Sequence, residues 1–408
     1  MSYLISSHRA RLADDPIFAL NREAVLRHER GESIVNATVG TLLNDDGRIA
    51  VLPTTARAMR EVSDDDWAAY APIAGSPAFL RAVQDDVLAT MPEMRAASVA
   101  VATPGGSGAL RLAIDDFLEP HQALLTTDFF WSPYQTLTDV ADRRLATFSM
   151  FTPSGGFDVD SLDRALAAQV AEQGRVLLCI NDPCHNPTGY SMTSAEWAQV
   201  VERCAVYADR APFSLLVDMA YSAYSPRDPR AFLREISPLF GKAALLFAWS
   251  ASKTFTHYGL RVGALIACAR DSSERAAIEA SLSYGCRGTW SNCNRGGFTA
   301  ITRLLTDDAS RRACDAERDV LKAMLHARVA AFNARAVEHG LKYPRYEGGF
   351  FVTVFSKSSF EVAARMRDLG IFVVPIEGAI RVALCSVAER DVPRLVDGIA
   401  RSLSASPL

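Results

Sequence analysis

The sequence lacks most of what ties a chain to a membrane, a metal or a nucleic acid. Its eight cysteines form no Cys-x-x-Cys pair, and several sit inside apolar runs such as Leu178-Cys179-Ile180 and Leu384-Cys385. Buried free thiols in a reducing compartment explain that pattern better than a disulfide framework or a zinc site. No apolar stretch reaches the ~20 residues of a membrane span, and the start, Met-Ser-Tyr-Leu-Ile-Ser-Ser-His-Arg, has no long apolar core of a signal peptide. The expected location is the cytoplasm. Neither sign of charge is in excess, since 43 basic and 47 acidic residues leave a net charge of -4. No global field therefore favours nucleic acid or a membrane surface, and no metal is expected. Small molecules are the expected partners.

What is present is an ordinary globular composition, 49% apolar and 22% charged over 408 residues, enough for roughly two or three domains with a large core. Apolar periodicity predicts helices over 14–31, 54–62 and 78–90, with an extended segment at 33–40 between the first two. From residue 99 onward strands and helices alternate: strands at 99–102, 123–126, 144–151, 176–181, 214–218 and 244–249, helices at 134–140, 159–172 and 194–208. Such alternation predicts an α/β fold, a mostly parallel sheet with helices on both faces and ligands at the carboxyl ends of the strands. After residue 298 the pattern changes to a long helical region over 298–339, bent near 306–308. Short strands at 349–355, 372–375 and 380–385 follow, with helices at 359–369 and 389–403. This is a smaller α+β segment.

The chemistry-bearing stretches fall at predicted strand ends. Ser250-Ala251-Ser252-Lys253 follows an apolar strand, and Arg261 comes eight residues after the lysine, which is what a Schiff base beside a phosphate requires. Alone it could equally be a surface loop. Thr103-Pro104-Gly105-Gly106-Ser107-Gly108 joins a strand to a helix, so backbone N–H groups and the helix N-terminus can converge on a phosphate. It has neither the Lys-Ser/Thr ending of a nucleotide loop nor the GxGxxG spacing of a dinucleotide fold, which argues against ATP and NAD. Asn181-Asp182-Pro183-Cys184-His185-Asn186-Pro187-Thr188-Gly189 and Asp218-Met219-Ala220-Tyr221 follow two further strands, and Arg381 enters a third apolar run.

Taken together and in this order, these residues resemble fold-type I aminotransferases that use pyridoxal 5'-phosphate, and most closely the aspartate and aromatic amino acid branch. The resemblance covers about residues 36–381. It implies a large cofactor-binding domain over 47–315 and a small domain from 1–46 with 316–408. It further implies that Lys253 carries the cofactor and moves the substrate proton, that Asp218 pairs with the pyridine nitrogen, and that Tyr221 and Asn186 bond its phenolic oxygen. Gly106, Ser107, Gly108, Ser250, Ser252 and Arg261 match the phosphate cup, and Trp131 matches the aromatic ring stacked on the cofactor. Tyr70 either reaches the phosphate of a neighbouring subunit, which implies a homodimer with shared active sites, or packs within its own loop.

On the substrate side, Arg381 matches the clamp on the α-carboxylate, while Gly40, beside Val39, matches the segment that closes over substrate. Arg287 matches the arginine that crosses the dimer interface to a distal carboxylate, or serves the interface alone. Two departures bear on specificity. Tyr134 stands where aspartate-specific members often have a histidine, and Arg295, in Cys293-Asn294-Arg295-Gly296-Gly297, is a second arginine that could compete for the anion. The implied activity is exchange of an amino group between aspartate, glutamate or an aromatic amino acid and a 2-oxo acid such as 2-oxoglutarate. A lyase, decarboxylase or oxidase-like enzyme on the same scaffold is the alternative, and a binding protein without catalysis is a third.

Overall fold

A computed structural model describes residues 3–5, 8–9, 11 and 16–404. The chain divides into two compact units, one of Ala50–His326 with Pro344–Gly349, the other of Met1–Ile49, Ala327–Tyr343 and Phe350–Leu408.

The larger unit is built on a seven-stranded sheet. Its strands are Ser98–Thr103, Ala123–Thr127, Arg144–Phe148, Val176–Asn181, Phe213–Asp218, Ala244–Ser250 and Gly263–Cys268. All neighbours pair in parallel except Gly263–Cys268, which runs antiparallel between Ser98–Thr103 and Ala244–Ser250. The central strands Val176–Asn181 and Phe213–Asp218 are buried along their whole length, which is why they read as continuous apolar runs rather than as alternation. Alternate side chains still go to opposite faces. Leu178, Ile180, Leu215 and Val217 enter one core, and Leu177, Cys179 and Leu216 enter the other. At about 1.5–3 kcal/mol for each fully buried large aliphatic or aromatic side chain, both faces must be covered, and helices cover both.

Local capping fixes where those helices begin. Thr193 accepts from Glu196 N at 3.2 Å while the Glu196 carboxylate accepts from Thr193 N at 2.7 Å, a capping box that starts helix Ser194–Ala208. Asp158 caps helix Val159–Gln173 with its side chain alone, its Oδ1 accepting from Ser161 N at 2.8 Å, and Gly174 ends it at φ +64.

In the smaller unit Val35–Asn36 pairs in parallel with Ile371–Phe372, and Val374–Ile376, Ala379–Val382 and Val352–Phe355 form an antiparallel sheet. Arg381 lies on the middle strand, opposite Thr353 and Val374. The fully buried Arg328 organises the loop that precedes residue 46. Its guanidinium donates to Cys385 O and Leu43 O at 2.7 Å each and to the Asp45 carboxylate at 2.8 Å.

Several expectations are corrected in detail. The 33–40 segment pairs only at Val35–Asn36; the strand expected over 380–385 stops at Val382, after which Leu384–Ser386 is a 3-10 turn. The last helix begins at Val392, where Pro393 occupies the first turn and needs no N–H partner. The start expected at residue 14 lies outside the described residues. The strand Gly263–Cys268 and the helices Ser272–Thr289, Asp64–Ala68, Pro92–Ala96 and Phe232–Ile236 were not among the predicted elements.

Arg328 gives the fold a direct test. Arg328→Met removes three donors from a fully buried position and leaves two carbonyls and Asp45 without them. Urea denaturation should show a loss of about 3 kcal/mol in the unfolding free energy of the transition that includes this unit; a loss below ~1 kcal/mol would mean that these bonds do not hold the loop.

Candidate active site

The carboxyl ends of the central strands converge on one cavity in the larger unit. It is lined by Gly106, Ser107, Trp131, Asn186, Asp218, Tyr221, Ser250, Ser252, Lys253 and Arg261, and also by Leu110, Asn181 and Ala220. Register explains part of this: Asn181 pairs with Asp218, and Asp218 with Ala248, so the strands end at nearly one level.

Asp218 is the buried charge of the site, 5% exposed. Tyr134 Oη donates to its Oδ2 at 2.7 Å, and Ala220 N donates to its Oδ1 at 3.1 Å. Burial pushes the carboxyl above its usual range, opposed by those two bonds and by the Lys253 charge. Tyr134 is itself buried, with the Cys179 thiol against its hydroxyl, and burial pushes the phenol well above the ordinary tyrosine range. It therefore stays a protonated donor at any working pH.

Asn181 joins two walls. Its Nδ2 donates to Asp218 O at 2.8 Å and its Oδ1 accepts from Asn186 N at 2.7 Å. Asn186 Nδ2 in turn donates to Tyr221 Oη at 3.3 Å. His185, next to it, bonds Thr188 Oγ1 at 2.8 Å, and burial pushes it down to about 3. That imidazole is a neutral strut of the loop.

The opposite end of the cavity is a nest of donors. Helix Gly105–Phe117 opens there with Gly105 at φ +74, and its first N–H groups have no partners within the helix. A Cβ on Gly105 would strike the Arg261 guanidinium, and one on Gly106 would come within 3.3 Å of Ser250 Cβ. Arg261 has φ +57, rare for a residue with a side chain, and its guanidinium donates to Ser252 Oγ at 3.2 Å, Tyr258 O at 2.9 Å and Pro104 O at 3.2 Å. Lys253 sits on the short helix Ala251–Thr254, which the Ser250 side chain caps, with Nζ 5.2 Å from the Tyr221 ring centroid.

Comparison with known proteins identifies the family. The family model described as aminotransferase class I and II matches residues 32–399. The chain belongs to that family. It is similar to the tyrosine aminotransferase of Klebsiella pneumoniae, 28% identical over 389 residues that span 91% of this chain and 94% of that one. It is also similar to the aspartate aminotransferase of Pseudomonas aeruginosa, 27% identical and covering 88% and 90%. Among solved structures, an aminotransferase from Anaerococcus prevotii superposes with a TM-score of 0.93 at 31% identity, covering 99% of this chain and 100% of that chain. An aromatic amino acid aminotransferase from Burkholderia pseudomallei, covalently bound to pyridoxal phosphate, superposes at 0.81 with 25% identity, covering 98% and 100%. The chain is thus a pyridoxal-phosphate-dependent amino acid aminotransferase of the fold-type I class.

The cavity fits that cofactor. Among the described residues, Asn186 Oδ1 is buried without a hydrogen-bond partner, and the donor nest, the buried carboxylate and the lysine supply complementary groups for a phosphate, a ring nitrogen and a carbonyl. Asn181, Leu110 and Ala220 also line the cavity, beyond the site residues expected from the sequence. Asn181 at the strand terminus was the only one of the three with a readable signal.

Other expected site residues lie elsewhere. Gly108 packs on Pro104 and Thr103, where a Cβ would approach Pro104 Cδ to 2.5 Å. Tyr70 is 86% exposed. Arg287 is exposed and donates to Ser291 Oγ at 2.6 Å. Gly40 and Arg381 belong to the smaller unit. There the Phe351 ring occupies the space of a Cβ on Gly40, and the Arg381 guanidinium lies 4.8 Å over the same ring and donates to Thr38 O. The reading of Arg295 as a competitor for an anion is corrected: its guanidinium is engaged by Asp66 at 2.9 Å.

Tyr134→Phe isolates the support of Asp218. A hydrogen bond to a charged group is worth about 1.5–3 kcal/mol, so cofactor affinity, titrated by absorbance into the apoenzyme, should fall between about tenfold and a hundredfold. Unchanged affinity would show that Asp218 does not need the phenol.

Proposed function

We propose that this aminotransferase moves the amino group of a dicarboxylic or aromatic amino acid to a 2-oxo acid such as 2-oxoglutarate, with Lys253 and Asp218 as its central residues. The observation that carries this reading is the meeting of Lys253, a buried Asp218 and a phosphate-type donor nest in one cavity.

When bound, pyridoxal phosphate supplies a carbonyl for the amine to condense with and a ring that withdraws electrons. Asp218 holds the proton at the ring nitrogen. Tyr221 Oη and the second N–H of Asn186 Nδ2 would donate to the phenolic oxygen, and Trp131 would pack against the ring. The N–H groups at Gly106 and Ser107, the hydroxyls of Ser250 and Ser252 and the Arg261 guanidinium hold the phosphate, with Gly108 keeping the turn tight. The Lys253 amine would take the proton from the substrate Cα and carry it, acting first as base and then as acid.

Arg381 is assigned to the α-carboxylate, for which a planar guanidinium offers two parallel donors. Its seat on Phe351, against Gly40, holds it in one orientation and leaves no room for a side chain at residue 40. Arg287 and Tyr70 are assigned across the interface of a homodimer, Arg287 to a distal carboxylate and Tyr70 to the phosphate; their exposure fits groups that act outside their own chain. Eight free thiols fit a reducing, cytoplasmic setting, and among the described residues no helix is long and apolar enough to cross a membrane.

The test is a panel of amino donors followed by the absorbance of the bound cofactor, with wild type beside Arg287→Ala. The variant should lose roughly a hundredfold in kcat/KM for aspartate and glutamate and stay within about threefold for phenylalanine and tyrosine. Equal losses for both groups would remove Arg287 from specificity.

A further inference from the structure

The larger unit holds a second cavity, of about 240 Å³, that none of the chemistry above uses. We infer that it is a binding site for a small organic anion with an apolar body.

Its walls divide by character. Val87, Met219, Trp249, Phe255 and Leu305 give an apolar lining. Arg230, Arg311, Arg318 and Lys322 also line it, against the carboxylates of Asp86, Asp315 and Asp319. Asp86 is saturated: Arg230 and Arg311 approach its Oδ1 at 2.8 and 3.1 Å, and Trp249 Nε1 donates to its Oδ2 at 3.0 Å.

Helix Asp308–Glu338 presents the other pair of cations. The Arg318 and Lys322 side chains are 12% and 26% exposed, whereas Asp315 and Asp319, their partners at 2.7 and 3.9 Å, are 53% and 74% exposed. Water screens the exposed carboxylates more than the sheltered cations, so this wall presents positive charge to the cavity. The volume lies below the ~300–1,000 Å³ of drug-sized sites, which selects a metabolite-sized carboxylate with an aliphatic or aromatic body.

The position gives the site a consequence. Met219, Ser222 and Thr254 line it, and each directly follows a residue of the active-site cavity, Asp218, Tyr221 and Lys253. Arg318 Nε donates to Thr254 O at 2.9 Å, and its guanidinium lies 5.7 Å over the Phe255 ring. An occupant paired with Arg318 therefore bears on the turn that carries the lysine.

The experiment uses the holoenzyme and 4-bromobenzoate. Crystals soaked in the probe should show anomalous bromine density among Trp249, Phe255 and Leu305, with the carboxylate toward Arg318 and Lys322. In solution, calorimetric titration is done on an Arg381→Ala background, so that a carboxylate held by that arginine does not enter the signal. There Lys322→Glu should weaken binding by about tenfold or more. Bromine density confined to the cavity around Lys253, or identical titrations with and without Lys322→Glu, would overturn the proposal.

Discussion

The active site depends on keeping one carboxylate charged where water cannot reach it. Taking an ion out of water costs several kcal/mol even after relaxation. Asp218 meets that cost with bonds from Tyr134 and Ala220, each worth about 1.5–3 kcal/mol, and with the Lys253 charge. Burial remains the largest of these effects and holds the carboxyl above its usual range, so a cation placed against it would favour the charged form. A protonated ring nitrogen is such a cation. Tyrosine suits the supporting role because its phenol stays protonated over the whole working range.

The second constraint is rigidity at the strand ends. Through Asn181, the loop bearing Asn186 and the strand bearing Asp218 form one frame, and the two-faced core beneath fixes how far each strand projects. At the other end of the cavity the left-handed backbone at Arg261 and the bare glycines opposite it bring a guanidinium against a helix N-terminus. Strain of this kind persists only where surrounding structure imposes it. Here the capped turn Ala251–Thr254 and the strand Gly263–Cys268 are the imposing elements.

The buried strands and their terminal residues were legible in the sequence because continuous apolar runs of six residues, followed at once by polar or glycine-rich turns, have few other readings. Val176–Asn181 and Ser194–Ala208 lie where the pattern puts them. The antiparallel strand Gly263–Cys268 breaks the strand–helix alternation, because only the short helix Ala251–Thr254 and a 3-10 turn separate it from Ala244–Ser250, and the pattern does not report it. Short helices such as Asp64–Ala68 and Phe232–Ile236 are held by tertiary packing and leave little periodicity. The opposite errors also have physical causes. Arg295 looked available for an anion because Asp66, its partner, lies 229 positions away in the sequence, and no local pattern reports such a pair. Asn181 was visible as a residue but not as a bridge, because bridging depends on register between strands.

Lys253 is one of only five lysines in the chain, with Lys242, Lys322, Lys342 and Lys357, and it alone lines the active-site cavity. Borohydride reduction of the holoenzyme followed by peptide mass mapping reads the attachment point of the cofactor without reference to substrate. The account predicts a single modified peptide, containing Lys253. Modification at any of the other four lysines, with Lys253 unmodified, would contradict it.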